Sequence, residues 1–106
     1  MSSTVKERDF HKAVSKGDYF EIRLKNQAGT GYDWYLEGMP SELMLNAISE
    51  ERVSSDITGG SYMKVFGFLM KNDINKTSVS LKFRNIRVWE LDKPIEVSNV
   101  IIPIKK

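Results

Sequence analysis

The sequence predicts a small all-β domain, and three observations carry that expectation. Apolar and polar residues alternate with a period of two through Phe20-Glu21-Ile22-Arg23-Leu24-Lys25 and Ser78-Val79-Ser80-Leu81-Lys82-Phe83-Arg84, the pattern of strands with one buried face, while helical spacing is weak throughout. Turn signals recur roughly every 8 to 15 residues, at Lys16-Gly17-Asp18, 26–31, Gly38-Met39-Pro40, Thr58-Gly59-Gly60, Asn72-Asp73 and Asp92-Lys93-Pro94. Trp34 falls on the third predicted strand, where a two-sheet sandwich keeps a buried Trp. About seven short strands in 106 residues is the profile of an immunoglobulin-like β-sandwich of seven to eight antiparallel strands.

Each element has its own reason. An edge strand is expected near His11, before the first turn. In the second strand Phe20, Ile22 and Leu24 face inward, and Asn26 ends the run. The third, Tyr32-Asp33-Trp34-Tyr35-Leu36, is short and aromatic. Leu43 to Val53 also carries the Leu, Met, Glu and Ala of a helix former, but reads as a strand in this context. Tyr62 to Met70 is rich in Tyr, Val and Phe, with Gly67 marking a bulge or a close approach. In the sixth strand Val79, Leu81 and Phe83 face inward. Ile95 to Ile104 closes the chain, with Pro103 at an edge or terminal position.

A chain of this length holds one core, so residues 1–106 are expected to form a single domain. Hydrophobic residues at 41% and charged residues at 28% match an ordinary soluble globular protein and disfavour disorder. The formal charge of +2 arises from 16 basic and 14 acidic residues spread along the chain, without the dense Lys/Arg block that tracks a phosphate backbone, so nucleic acid is not an expected partner. The longest apolar run, Val100 to Ile104, is far shorter than the roughly 20 residues of a membrane-spanning helix, and no membrane partner is expected. The polar N-terminus, from Met1 to Asp9, lacks the apolar centre of a signal peptide and predicts a cytoplasmic protein. If it replaces a removed signal, the lysosomal or secretory pathway is predicted instead. Asn75-Lys76-Thr77 fits a glycosylation acceptor, a triplet that also arises by chance.

The catalytic chemistries are short of residues. The chain has no cysteine, which excludes disulfides, thiolate metal sites and Cys nucleophiles. His11 is the single histidine, so a metal site would have to be all-carboxylate or rely on one imidazole, and a Ser-His-Asp arrangement would need His11, near an edge strand and next to Phe10, as its base; His11 reads instead as a surface or half-packed residue. Glu50 and Glu51 are adjacent on a strand and point to opposite faces, so they cannot work as a pair. Gly29-Thr30-Gly31 lacks the lysine and the glycine spacing of a phosphate loop. No cofactor and no metal are implied, and the chain is not read as an enzyme.

What remains is the loops. In an immunoglobulin-like sandwich the second-to-third, fourth-to-fifth and sixth-to-seventh connections share one end. Here they are Asn26-Gln27-Ala28-Gly29-Thr30-Gly31-Tyr32, Ser54-Ser55-Asp56-Ile57-Thr58-Gly59-Gly60-Ser61 and Asn85-Ile86-Arg87-Val88-Trp89-Glu90. Thr30-Gly31-Tyr32 followed by Trp34, then Gly59-Gly60, then Arg87-x-Trp89, in that order and at these distances, resembles the chagasin-like inhibitors of cysteine peptidases from about Tyr19 to Ile104. The motifs of that family are Asn-Pro-Thr-Thr-Gly-Tyr/Phe, Gly-x-Gly-Gly and Arg-Pro-Trp/Phe. Counting back from Tyr32, Gly29, Ala28 and Gln27 replace Thr, Pro and Asn; alternatively Asn26 matches the Asn and the loop is one residue longer. Ile57 stands at the first Gly of the second motif and Val88 at the Pro of the third.

The resemblance implies a reversible, non-covalent wedge in the cleft of a papain-like (cathepsin L type) cysteine protease, acting as a monomer. Its contact residues would be Gln27, Ala28, Gly29, Thr30, Gly31 and Tyr32; Asp56, Ile57, Thr58, Gly59 and Gly60; and Arg87, Val88 and Trp89. Trp89 would lie against the aromatic wall of the primed side, Arg87 at the rim, and the Gly59-Gly60 loop along the unprimed side with Ile57 in the apolar specificity pocket. Small residues at the Thr30-Gly31 tip can reach where bulk would clash, and Gly29 and Gly31 permit positive φ. Each residue also has a plainer reading: Trp34 and Tyr32 as packing, Gly59-Gly60 as a hairpin turn, Trp89 as a cover over the core, and Lys82, Arg84 and Arg87 as a solvated face. A different class of function, carbohydrate or cell-surface binding, would use Tyr35, Tyr62 and Trp89 as stacking platforms on a sheet face. A third would be an adhesion module that self-associates through an exposed edge strand.

Overall fold

The computed structural model describes residues 4–27, 29–52, 61–71, 76–90 and 94–105. Among the described residues there are seven strands: β1 (Thr4–Asp9), β2 (Tyr19–Gln27), β3 (Asp33–Gly38), β4 (Leu43–Arg52), β5 (Ser61–Met70), β6 (Ser78–Ile86) and β7 (Glu96–Pro103). They form a four-stranded sheet in the order β1-β7-β6-β3 and a three-stranded sheet in the order β2-β5-β4. The pairings between these strands are antiparallel except β1 with β7, which is parallel from Thr4↔Glu96 to Asp9↔Ile101 and is followed by an isolated parallel bridge, Val14↔Ile104. Of the ambiguous 43–53 segment, Leu43–Arg52 is a strand, because its antiparallel pairing with β5 outweighs the local helix preference.

The two strongest alternations fold as they read. Phe20, Ile22 and Leu24 on β2 and Val79, Leu81 and Phe83 on β6 are buried, with exposed or half-buried residues between them. Phe66 and Phe68 of β5 meet Phe83 of the other sheet with ring centroids 4.9 and 6.4 Å apart, and Phe20 stacks on Phe68 at 5.6 Å. Trp34 is 2% exposed, and its Nε1 donates to the Lys25 carbonyl 2.9 Å away, so its one polar atom is satisfied inside the core. Pro103 sits at the end of β7, where the missing N–H costs no central ladder bond.

Gly67 serves as a close-approach point. The Tyr19 ring of the neighbouring strand lies so near its Cα that a Cβ there would overlap the Tyr19 hydroxyl and ring carbons. On its other side, β4 shifts register between Leu45 and Ala47, a bulge opposite Gly67.

At the pole away from the strand ends that lead into the three loops, Glu42 is 3% exposed and pairs with Lys76 at 3.1 Å. Hydrogen bonding from its own backbone N–H, then from Lys76, holds its carboxyl below its ordinary value, against the opposing effect of burial. Because the folded pKa is depressed, the unfolded chain takes up the proton first. The stabilisation is therefore complete above the unfolded pKa and lost as pH falls through the folded one. In urea titrations, wild type is expected to exceed Glu42→Gln in stability at neutral pH, with the gap closing as pH falls below the ordinary Glu value of about 4.3; a gap independent of pH would refute this.

Candidate functional site

Three connections leave the same end of the sandwich. Gln27 lies opposite Ser61, Arg52 opposite Tyr62, Asp33 opposite Ile86 and Asn85 opposite Glu96, so every strand end that feeds a candidate loop is at that pole. Of the residues read as contacts, Asp56, Ile57, Thr58, Gly59, Gly60 and Ala28 lie outside the described residues, as does Asn75 of the glycosylation triplet.

The first loop is built around two glycines with positive φ, Gly29 at 82° and Gly31 at 81°. Thr30 between them braces the turn. Its Oγ1 donates to the Gln27 carbonyl at 3.1 Å and accepts from the Tyr32 N–H at 3.2 Å. The neck is closed by Asn26, whose Nδ2 donates to the Tyr32 carbonyl at 2.6 Å. Gln27, Gly29 and Gly31 are exposed, while Thr30 and Tyr32 are half-buried. Tyr32 therefore packs the base of the loop.

The third loop turns at Arg87 to Glu90, with the Glu90 N–H donating to the Arg87 carbonyl at 2.8 Å. Its tip is apolar and open to solvent: Val88 is 56% and Trp89 67% exposed. Trp89 therefore does not cover the end of the core. The indole leans on the first loop instead, since a Cβ on Gly31 would stand 2.7 Å from Trp89 Cη2.

Arg87 joins the two loops. Nε donates to the Thr30 carbonyl at 3.0 Å, Nη1 to Glu90 Oε1 at 3.1 Å, and the guanidinium lies 4.3 Å from the Tyr32 ring centroid and 6.0 Å from the Trp89 ring. The sequence suggested a rim contact or a solvated face for Arg87. In the structure its planar fork spans loop to loop, a use for which Lys lacks the geometry and one compatible with a rim contact. Lys82 and Arg84 do lie on a solvated face, paired with Glu37 at 3.6 and 3.1 Å.

The aromatic platform of the carbohydrate-binding reading does not assemble. Trp89 stands in the turn after β6, and Tyr62 on β5 has its hydroxyl held by Asn26 at 2.7 Å and Asp33 at 3.3 Å. His11 is exposed, with its ring 4.4 Å from that of Phe10 on the segment after β1.

A disulfide-free, immunoglobulin-like sandwich that presents a braced glycine turn and an exposed Trp side by side belongs to the class of loop-presenting binding proteins. The chain belongs to the chagasin family of peptidase inhibitors, family I42, whose model matches residues 13–102. It is accordingly an inhibitor and not an enzyme. Two solved structures share the fold. The cysteine protease inhibitor EhICP2 of Entamoeba histolytica is 17% identical, with a TM-score of 0.71 over 96% of this chain and 95% of that one. PbICP-C, solved in complex with falcipain-2, is 16% identical, with a TM-score of 0.59 over 99% of this chain and 94% of that one. Among curated protein sequences none matches significantly.

Gly31 carries two constraints at once, a positive φ and the indole on its Cα. Gly31→Ala is expected to lower unfolding stability by about 1–2 kcal/mol from the backbone alone. It should also shift the fluorescence of Trp89 while that of buried Trp34 stays in place. An unchanged denaturation midpoint and emission spectrum would refute both constraints.

Proposed function

We propose that residues 1–106 act as one inhibitor domain that blocks papain-like cysteine proteases of the cathepsin L type, reversibly and without covalent chemistry. Contact would be made through residues 27–32, 56–60 and 87–89. The observation that carries this reading is the joined edge of the first and third loops, in which a 67% exposed Trp89 is backed by Gly31 and Arg87.

The physics suits a wedge. Exposed aromatics at the centre of an interface supply much of its binding energy, and one already held in place loses little conformational freedom on docking. Arg87 has its charge paired with Glu90, so covering it does not bury a lone ion. The Gly29-Thr30-Gly31 tip is narrow enough to enter a cleft. Its two positive φ values bend the backbone away from the extended form in which a protease holds a scissile bond, which accounts for insertion without cleavage. The fold shared with EhICP2, a cysteine protease inhibitor, and with PbICP-C, found bound to falcipain-2, supports the same target class.

Titration against papain or a cathepsin L type enzyme is expected to give stoichiometric, reversible inhibition; none at micromolar inhibitor would reject the proposal. Trp89→Ala should weaken inhibition by about 2–4 kcal/mol, roughly 30- to 900-fold in Ki, without unfolding the domain. Arg87→Lys removes the fork and the stack but keeps the charge, and should weaken inhibition roughly tenfold. Wild-type Ki values for both variants would remove these loops from the interface.

A further inference from the structure

The inward-facing rows of the two sheets end alike. On β2 the row runs Phe20, Ile22, Leu24, Asn26, and on β6 it runs Val79, Leu81, Phe83, Asn85. Each row replaces its last apolar residue with Asn, at the end from which the loops spring. Asn26 and Asn85 are 5% and 4% exposed, and they meet across the sandwich, Asn85 Nδ2 donating to Asn26 Oδ1 at 3.1 Å.

Asn26 uses its remaining polar hydrogens on the loops. Nδ2 donates to the Tyr32 carbonyl at 2.6 Å, at the neck of the first loop, and to the Tyr62 hydroxyl at 2.7 Å, one residue into the strand that follows segment 53–60. Asn85 itself lies two residues before Arg87. One side-chain amide thus reaches the bases of all three connections. Its orientation is dictated by chemistry, because the flipped amide would set its oxygen against the Tyr32 carbonyl oxygen. The network runs on outward: the Tyr62 hydroxyl donates to Asp33 Oδ1 at 3.3 Å, and Lys64 Nζ donates to Asp33 Oδ2 at 2.9 Å.

The arrangement carries a cost. Asn85 Oδ1 is buried without a hydrogen-bond partner among the described residues, a situation native structures tolerate rarely. Two leucines would continue the rows and remove that orphan acceptor, but would take from the Tyr32 carbonyl and the Tyr62 hydroxyl the hydrogen bonds that Asn26 Nδ2 donates. Buried polar pairs of this kind are retained in some proteins because they select one geometry among several that apolar contacts would allow.

We propose that Asn26 and Asn85 form a cross-sheet clamp that sets the first loop against the other two, and that both are positioning residues for inhibition. At their burial neither can touch a protease, so they act through the loops. The inference rests on the inhibitor reading above.

The test uses the Asn26→Leu/Asn85→Leu double variant, measuring thermal unfolding, association and dissociation rates with papain, and backbone amide exchange of Thr30 and Tyr32 in the free protein. The clamp predicts a domain that still unfolds cooperatively, binds papain at least tenfold more weakly with most of the loss in slower association, and exchanges the loop amides at least tenfold faster. A folded double variant that binds within twofold of wild type overturns the proposal. If the double variant does not fold, Tyr62→Phe decides: severalfold weaker binding with faster Tyr32 exchange supports the clamp, and unchanged values overturn it. If the wild type fails to inhibit papain, it is the inhibitor reading that falls. Amide exchange then still decides whether the clamp holds the loops.

Discussion

Phe66 and Phe68 of one sheet packing on Phe83 of the other hold this sandwich shut without a disulfide. Everything at the loop end depends on that contact, because it fixes the separation and offset of the sheets from which the loops spring. All three rings are fully buried, and truncating such a residue to Ala typically costs about 3–5 kcal/mol, a large share of the stability of a domain this small. Trp34 extends the same core to the loop end, where its N–H ties back to β2.

From this apolar centre the chemistry changes in order along the sandwich. The buried rows run from phenylalanine and leucine to a pair of asparagines, then to an arginine spanning two loops, and finally to an indole in solvent. Each layer restrains the next. Packing sets the sheets, directional hydrogen bonds at Asn26 set the loop bases, and Arg87 with Gly31 sets the indole. A binding edge built this way has spent its ordering entropy during folding, which lets an interface made of few residues be tight. Family membership assigns the chain to peptidase inhibition, and that edge is the contact surface we propose for it. Two departures from the family motifs fall where this structure has its own solutions: Thr30 braces a turn between Gly31 and a Gly29 that stands where the motif has Thr, and Val88, where the motif has Pro, extends the apolar tip beside Trp89.

Much of the fold was legible because period-two alternation reports burial directly, as at Phe20 to Leu24 and Val79 to Phe83. The buried Trp34, the close approach at Gly67 and the positive φ values of Gly29 and Gly31 were legible too, since each follows from what one residue type allows. The parallel pairing of β1 with β7 was not, because alternation is blind to strand direction. The role of Arg87 was hidden for a related reason: an arginine in a loop looks the same whether it faces solvent or a second loop 57 positions away. The signal for the asparagine clamp was present, as two apolar rows each ending in Asn, but nothing local shows that the rows end opposite each other.

By itself, then, the sequence determined the element types, the buried faces, the absence of catalytic equipment, and three motifs in order that resemble those of chagasin-like inhibitors. These are properties of residues and near neighbours, set by alternation, turn chemistry and composition. The tertiary structure alone decided which loop touches which: that Trp89 rests on Gly31, that Arg87 reaches Thr30, and that Asn26 and Asn85 meet between the sheets. Such pairings depend on strand order and on how far the two sheets are offset. Those are set by the whole core at once and by no single stretch of chain.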